Sequence, residues 1–180
     1  MFDPTAFDNM KVVLEGALYD YDLNREIIIT DRNDLINMAK MLRLFNICFS
    51  LPHIQRQQLS AKIELESKLE NFTAELLSGS NNNPGLAGCY LKLQFFIIQK
   101  NEQIHFETVQ NLFSQIWGST RKITQSVQYN PLDEQQTITN TITIDFGRLI
   151  TENQMDDLIE IIAVMITSLE EAYNYFSKHP

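Results

Sequence analysis

The chain has 180 residues, 44% of them hydrophobic, with fourteen Lys and Arg against twenty-three Asp and Glu for a formal charge of -9. That apolar content can bury a full-sized core without disulfides or metal, and the negative charge repels phosphate backbones and anionic lipid, which argues against nucleic-acid and membrane partners. Two cysteines on separate segments, Cys48 and Cys89, point to reduced thiols and a cytoplasmic location.

The first ten residues, "MFDPTAFDNM", are acidic and lack an apolar core, so they read as the start of the mature chain and not as a leader. "KVVLEGALY" and "EIIIT" are rich in β-branched and aromatic residues and are predicted as two strands joined in a hairpin across "DYDLNR". In "DRNDLINMAKMLRLF", Leu35, Met38, Ala39, Leu42 and Phe45 fall at helical spacing after Asp31 as N-cap, which predicts a helix of about three turns. "FNICFSL" alternates Phe45, Ile47, Phe49 and Leu51 with smaller or polar residues before Pro52, the pattern of a strand. Leu59, Ala61, Ile63 and Leu65 then alternate with polar and charged residues, whereas Leu65, Leu69, Phe72 and Leu76 repeat at helical intervals. The reading is a strand that passes into a helix near Ser67.

"SGSNNNPG", from Ser78 to Gly85, has no apolar residue and divides the chain. The predicted organisation is an N-terminal α+β half over 1–79, a linker over 80–86 and a C-terminal α+β half over 87–180. Beyond it, "CYLKLQFFIIQ" reads as a largely buried strand. A helix ending at Gly118 carries Phe106, Val109, Phe113, Ile116 and Trp117 on one face, and "RKITQSVQY" with "TITNTITIDF" forms a hairpin. The longest apolar run, Ile161 to Ile166, lies in the closing helix and falls far short of the ~20 residues of a membrane span. Thr151 and Gln154 make a capping box for that helix, Glu152, Asp156 and Asp157 suit its positive end, and Lys178 and His179 its negative end. Met155, Leu158, Ile162, Met165, Leu169, Ala172 and Phe176 form its stripe, widened by Ile159, Ile166 and Tyr173. The fold class is therefore α+β: antiparallel sheet covered by helices, in two halves that each read strand, helix, two strands, helix.

Few constellations carry chemistry. "DYDLNREIIITD" places Asp20, Asp22, Asn24, Ile28 and Asp31 at the first, third, fifth, eighth and twelfth places of an EF-hand calcium loop. The sixth place, where the turn needs glycine, is Arg25, and the last ligand is the short Asp31. These departures favour a turn with its charges in water. Thiol catalysis would need Cys89 or Cys48 beside His53 or His105, yet Cys89 opens an apolar strand, where cysteine packs as a small hydrophobe. Zinc on the same four residues lacks paired ligand spacing. Arg121 and Lys122 read as the solvated start of a strand, and Glu64, Glu66 and Glu70 with Lys62 and Lys68 as a solvated face. The row of Thr137, Thr139, Thr141 and Thr143 reads as the wet side of a half-exposed strand, with Asn140 breaking its apolar side at an edge or bulge.

With no catalytic residue, metal site or cofactor assigned, the expected role is non-enzymatic protein contact: an acidic cytoplasmic interaction module, chaperone-like or an adaptor. The alternatives are an enzyme whose site is assembled from scattered residues, and a weak calcium-binding protein. In element order and charge the chain is similar in outline to the type III secretion chaperones, a resemblance that implies dimerisation and the binding of extended client segments. The two apolar rows of the closing helix exceed what one sheet face covers. Leu158, Ile159, Ile162, Ile166 and Leu169 are therefore the expected interface with a protein partner or a second copy; the rival expectation is one compact domain by internal duplication, whose two halves enclose this helix so that all of its apolar surface is internal core.

Overall fold

The computed structural model describes residues 5–54, 58–77, 84–132 and 137–179. Among these the elements in chain order are α1 (Ala6–Leu23), β1 (Ile28–Asn37), β2 (Leu42–Ser50), β3 (Leu59–Ser67), α2 (Leu69–Leu76), β4 (Cys89–Lys100), α3 (Gln103–Trp117), β5 (Lys122–Gln128), β6 (Thr137–Ile150) and α4 (Met155–Lys178). The six strands form one antiparallel sheet in the order β1-β2-β3-β4-β6-β5. The α+β fold is as the sequence predicts. Of "SGSNNNPG", only Pro84 and Gly85 are among the described residues, in a 3-10 turn; part of the β5–β6 connection and residues 1–4 likewise lie outside them.

One face of the sheet carries the core. Phe45, Ile47 and Phe49 of β2, Ala61, Ile63 and Leu65 of β3, and Leu91, Leu93, Phe95 and Ile97 of β4 join Ile142 and Ile144 of β6 in a single buried cluster. The helices that cover them contribute Phe7, Met10, Leu14 and Leu18 of α1, Val109 and Phe113 of α3, and the stripe of α4. Each fully buried Leu, Ile, Val, Phe or Met among these side chains gives roughly 1.5–3 kcal/mol on burial. Phe95 and Phe113 meet edge to face at 4.8 Å, a geometry that adds to the area term.

Two elements differ from the sequence reading, both in the first half. The predicted strand "KVVLEGALY" is part of α1. Its β-branched pair misleads: Val12 lies exposed, whereas Phe7, Met10, Leu14 and Leu18, spaced by three and four, are the residues that α1 buries. Thr5 caps the helix, its Oγ1 accepting from the Asp8 amide at 3.3 Å. Burial along one helical stripe outweighs the local β-propensity.

The predicted helix over "DRNDLINMAKMLRLF" is instead β1, a turn, and the start of β2. Asn37 accepts the Lys40 amide through both its backbone oxygen (3.3 Å) and its side-chain Oδ1 (3.2 Å), the local bonding that makes asparagine a turn residue. Met41 completes the turn at φ 50°. Cross-strand partners from Ile28↔Ser50 to Asn37↔Leu42 then supply a ladder that a helix here would forfeit. Lys11 reaches Asp34 at 2.9 Å, and Arg32 pairs with Glu15, so β1 is tied to α1. The first half thus reads helix, three strands, helix, and only the second reads strand, helix, two strands, helix.

The predicted hairpin at "DYDLNR" is the end of α1. The amide of Glu26 bonds to the Tyr21 oxygen and that of Arg25 to the Asp22 oxygen, each at 3.0 Å, with Arg25 at φ 63°. This is a Schellman C-cap, whose left-handed position is usually glycine. The later elements follow their predicted pattern. The capping box of Thr151 and Gln154 is present, on a 3-10 turn (Glu152–Gln154) that leads into α4, and Gly118, at φ 85°, ends α3.

Where β4 begins beside the end of β6, the two backbones approach closely. A Cβ on Gly88 would press on the carbonyl oxygen of Ile150, while one on Gly85 would meet nothing within 4 Å. Gly88→Ala is therefore expected to lower stability in urea denaturation by about 1–3 kcal/mol, the scale of overpacking, with Gly85→Ala within about 0.5 kcal/mol of wild type.

Candidate functional site

The calcium-loop residues are divided between two elements. Asp20 and Asp22 lie in the last turn of α1, Asn24 is its C-cap, and Asp31 is on β1. Asp22 already accepts the Ile29 amide at 3.1 Å, tying the helix end to the strand. No group of three or more His, Cys, Asp or Glu among the described residues is placed to hold a metal.

The thiols and imidazoles are not brought together. Cys89 opens β4, buried on the helix side, and His105 lies in α3 beyond the other end of that twelve-residue strand, which at 3.2–3.4 Å per residue spans roughly 35–40 Å. Burial pushes the Cys89 thiol far above its ordinary value, with the Glu75 carboxylate adding to the effect. Cys48, opposite Lys62 on the other sheet face, is raised first by burial. His53 packs edge-on to Tyr173 of α4. His105, missed as a core residue, is buried with its Nδ1 3.0 Å from the Tyr175 hydroxyl.

The face of the sheet away from the core carries the threonine row. From Thr137 to Thr143 the threonines are half-buried, alternating with buried Ile138, Asn140, Ile142 and Ile144. Glu64 does not belong to a solvated face. It is buried there between the Lys92 ammonium at 2.7 Å and Lys62 at 3.3 Å. Burial works to raise its pKa, but the two lysines outweigh it and hold the carboxyl below its usual range. Asn140 is neither at an edge nor at a bulge. It sits in β6, an interior strand, in regular register with Ile97 and Val127. Its Nδ2 donates to Gln125 Oε1 at 2.8 Å and Gln99 Oε1 at 3.4 Å. Gln125 in turn donates to the Phe106 carbonyl and Gln110 Oε1, each at 3.0 Å. A seam of amides, buried at Asn140 and Gln99 and half-buried at Gln125 and Gln110, thus joins α3 to the sheet.

Of the five residues expected at an interface, Leu158, Ile162 and Leu169 point into the core and are fully buried within this one chain. Ile166 is partly buried against the same cluster, and Ile159 alone is exposed, at 43%. Several exposed apolar residues gather at another place, the β1–β2 turn. Leu35, Ile36, Met38 and Met41 are between 42% (Met41) and 74% (Met38) exposed. Beside them an open trough of about 750 Å³ runs between this turn and the start of α2, lined by Leu42, Leu69, Lys40, Lys68, Glu66 and Glu70. Reading this segment as a helix assigned Leu35 and Met38 to a buried stripe and hid the surface. The signals against it were Asn33, Asp34 and Asn37, poor helix formers spaced through the segment.

No helix among the described residues is long and apolar enough to cross a membrane. No protein-family model, curated protein or solved structure matches the chain.

The two rows of α4 should respond differently to charge. Ile162→Glu buries an unpaired carboxylate and should abolish cooperative folding. Ile159→Glu should leave the circular-dichroism melt close to wild type. Acid should act through Asp8 and Glu64. Burial works to raise Asp8, but a hydrogen bond from Thr5 and the Arg43 guanidinium outweigh it and set its pKa below the ordinary value. A carboxyl lowered on folding contributes stability above its unfolded pKa that is lost as pH falls through the folded one. Stability from these two groups should therefore fall as pH drops below about 4. Glu64→Gln should flatten that limb in urea titrations at successive pH values. Glu75, whose pKa burial raises, works in the opposite sense.

Proposed function

We propose that the chain is a protein-contact module of the chaperone or adaptor kind, which holds an apolar segment of a client protein at the end of the sheet where β1 turns into β2. The observation that carries this reading is the group of Leu35, Ile36, Met38 and Met41, all exposed at the end of the β1–β2 hairpin, with the trough lined by Leu42 and Leu69 beside it. Large side chains gathered at one exposed place mark interaction surfaces in soluble proteins. Methionine, unbranched and polarisable, suits a surface that accepts more than one sequence.

The sheet edge supports the same reading. β1 is an outermost strand, and its central residues Asp31, Arg32 and Asp34 are charged, with a register shift between Ile29 and Asp31. Charges and bulges discourage indiscriminate strand addition. The apolar end from Leu35 onward is left without that protection, which favours contact there by side chains. Lys40 and Lys68 together with Glu66 and Glu70 give the trough a lining of mixed charge, so apolar content and shape would set client choice more than net charge.

A photo-activated cross-linking residue at position 38, compared with one at the exposed Asn111, tests this in cells. The expected result is a protein adduct from position 38 that Ile36→Lys removes while the melting curve is unchanged. Equal labelling from both positions, or an adduct insensitive to Ile36→Lys, would overturn it. Sedimentation of the purified chain decides whether a second copy, and not a client, takes this place. A dimer that Ile36→Lys dissociates would assign the surface to self-association.

A further inference from the structure

A second concavity, of about 250 Å³, lies where the end of α3, the start of β5, the end of β6 and the first half of α4 meet. Its floor is apolar and held in place. Trp117, Phe146 and Ile161 are half-buried there. The Trp117 indole donates to Ser168 Oγ at 3.0 Å and stands edge-on to the Phe146 ring at 6.4 Å. The Arg121 guanidinium lies 4.2 Å above the same ring, a cation–π contact that holds it in the lining of the cleft.

The rim is divided by charge. Arg121 and Arg148 come from the sheet side, and Asp157 and Glu160, three apart on α4, from the helix side. Arg148 donates to Gln154 Oε1 at 3.1 Å, and Asp157 accepts from Gln154 Nε2 at 3.4 Å. None of the four charged groups is in an ion pair among the described residues, although both signs face one opening.

We infer that this cleft binds a free amino acid with an apolar side chain, in its zwitterionic form. The carboxylate would take the guanidinium side, where planar forks of donors match two oxygens. The ammonium would take the carboxylates of Asp157 and Glu160, and the side chain would cover Trp117, Phe146 and Ile161. The volume lies below the ~300–1,000 Å³ of sites for drug-sized molecules, which suits a small metabolite. Both rims are needed to neutralise such a ligand, and an organic acid or an amine would satisfy one alone. The site is separate from the β1–β2 turn, so its failure leaves the client-binding reading standing.

Trp117 is the chain's one tryptophan, so its fluorescence reports on this cleft alone. L-leucine and L-phenylalanine titrated into the purified chain should give a saturable change in Trp117 emission. N-acetyl-leucine and leucinamide, each lacking one charge, should bind at least ~10-fold more weakly, about the 1.4 kcal/mol expected for one lost charge-assisted contact. Arg148→Gln and Glu160→Gln, both at exposed positions, should weaken L-leucine by a similar factor with an unchanged melt. No saturable response to any apolar amino acid at millimolar concentration would overturn the inference. So would equal responses to leucine and its two blocked forms, which would reduce the cleft to an apolar dent.

Discussion

The pairing of β3 with β4 is the contact on which the rest of the molecule depends. It sets Leu59, Ala61, Ile63 and Leu65 opposite Ile97, Phe95, Leu93 and Leu91, so two stretches separated by α2 and the following turn share one apolar surface. A slip of one residue would turn every one of these side chains to the other face. On that other face the same register brings Glu64 opposite Lys92, and their ion pair at 2.7 Å marks the register that the core requires. Losing either partner would leave a buried charge uncompensated and would be costly, and the pair is made only in this register.

Helices α1, α3 and α4 all settle on the apolar side of this sheet, and their placement decides what is left outside. Arg43 shows how tightly the first half is closed. From the helix side of β2 it bonds to Asp8 at 2.5 Å and Thr5 at 3.0 Å, with its guanidinium 4.3 Å over the Phe7 ring. One side chain thus joins the start of α1 to the sheet by charge, hydrogen bond and ring contact together. Among the described residues no comparable clamp holds the turn between β1 and β2, whose leucine, isoleucine and methionines are exposed. The surface proposed for client binding lies on this turn, beside the start of α2.

Much of the second half was legible because several local signals agree there. In α4 the capping box, the charges at either end and the stripe from Met155 to Phe176 coincide, and burial alternates strictly along β4 and along β6 from Thr137 to Ile144. Consistency among cap, period and propensity leaves one conformation favoured before any tertiary contact is made. In the first half the signals conflict. Val12 and Val13 pull toward strand inside a helical stripe, and Leu35, Met38, Leu42 and Phe45 imitate a helical stripe inside a hairpin.

The sequence by itself determined the α+β class, the acidic charge, the ends of α4 and the strands from β2 onward, because period, caps and turn residues are properties of neighbours along the chain. Only the tertiary structure decided that α1 is a helix and β1 a strand, since burial of Leu14 and Leu18 and the ladder with β2 are non-local and exceed propensity differences of about 1 kcal/mol. It alone decided that Leu158, Ile162 and Leu169 face inward while Ile159 does not: two adjacent apolar rows have the same period, and only the sheet beneath distinguishes them. The outward surface at the β1–β2 turn and the divided rim around Trp117 were beyond the sequence for the same reason. The rim is assembled from segments far apart along the chain, whose approach is fixed by strand register and helix packing, and the turn surface, one continuous stretch from Leu35 to Met41, is exposed only because the ladder with β2 replaces a helix there.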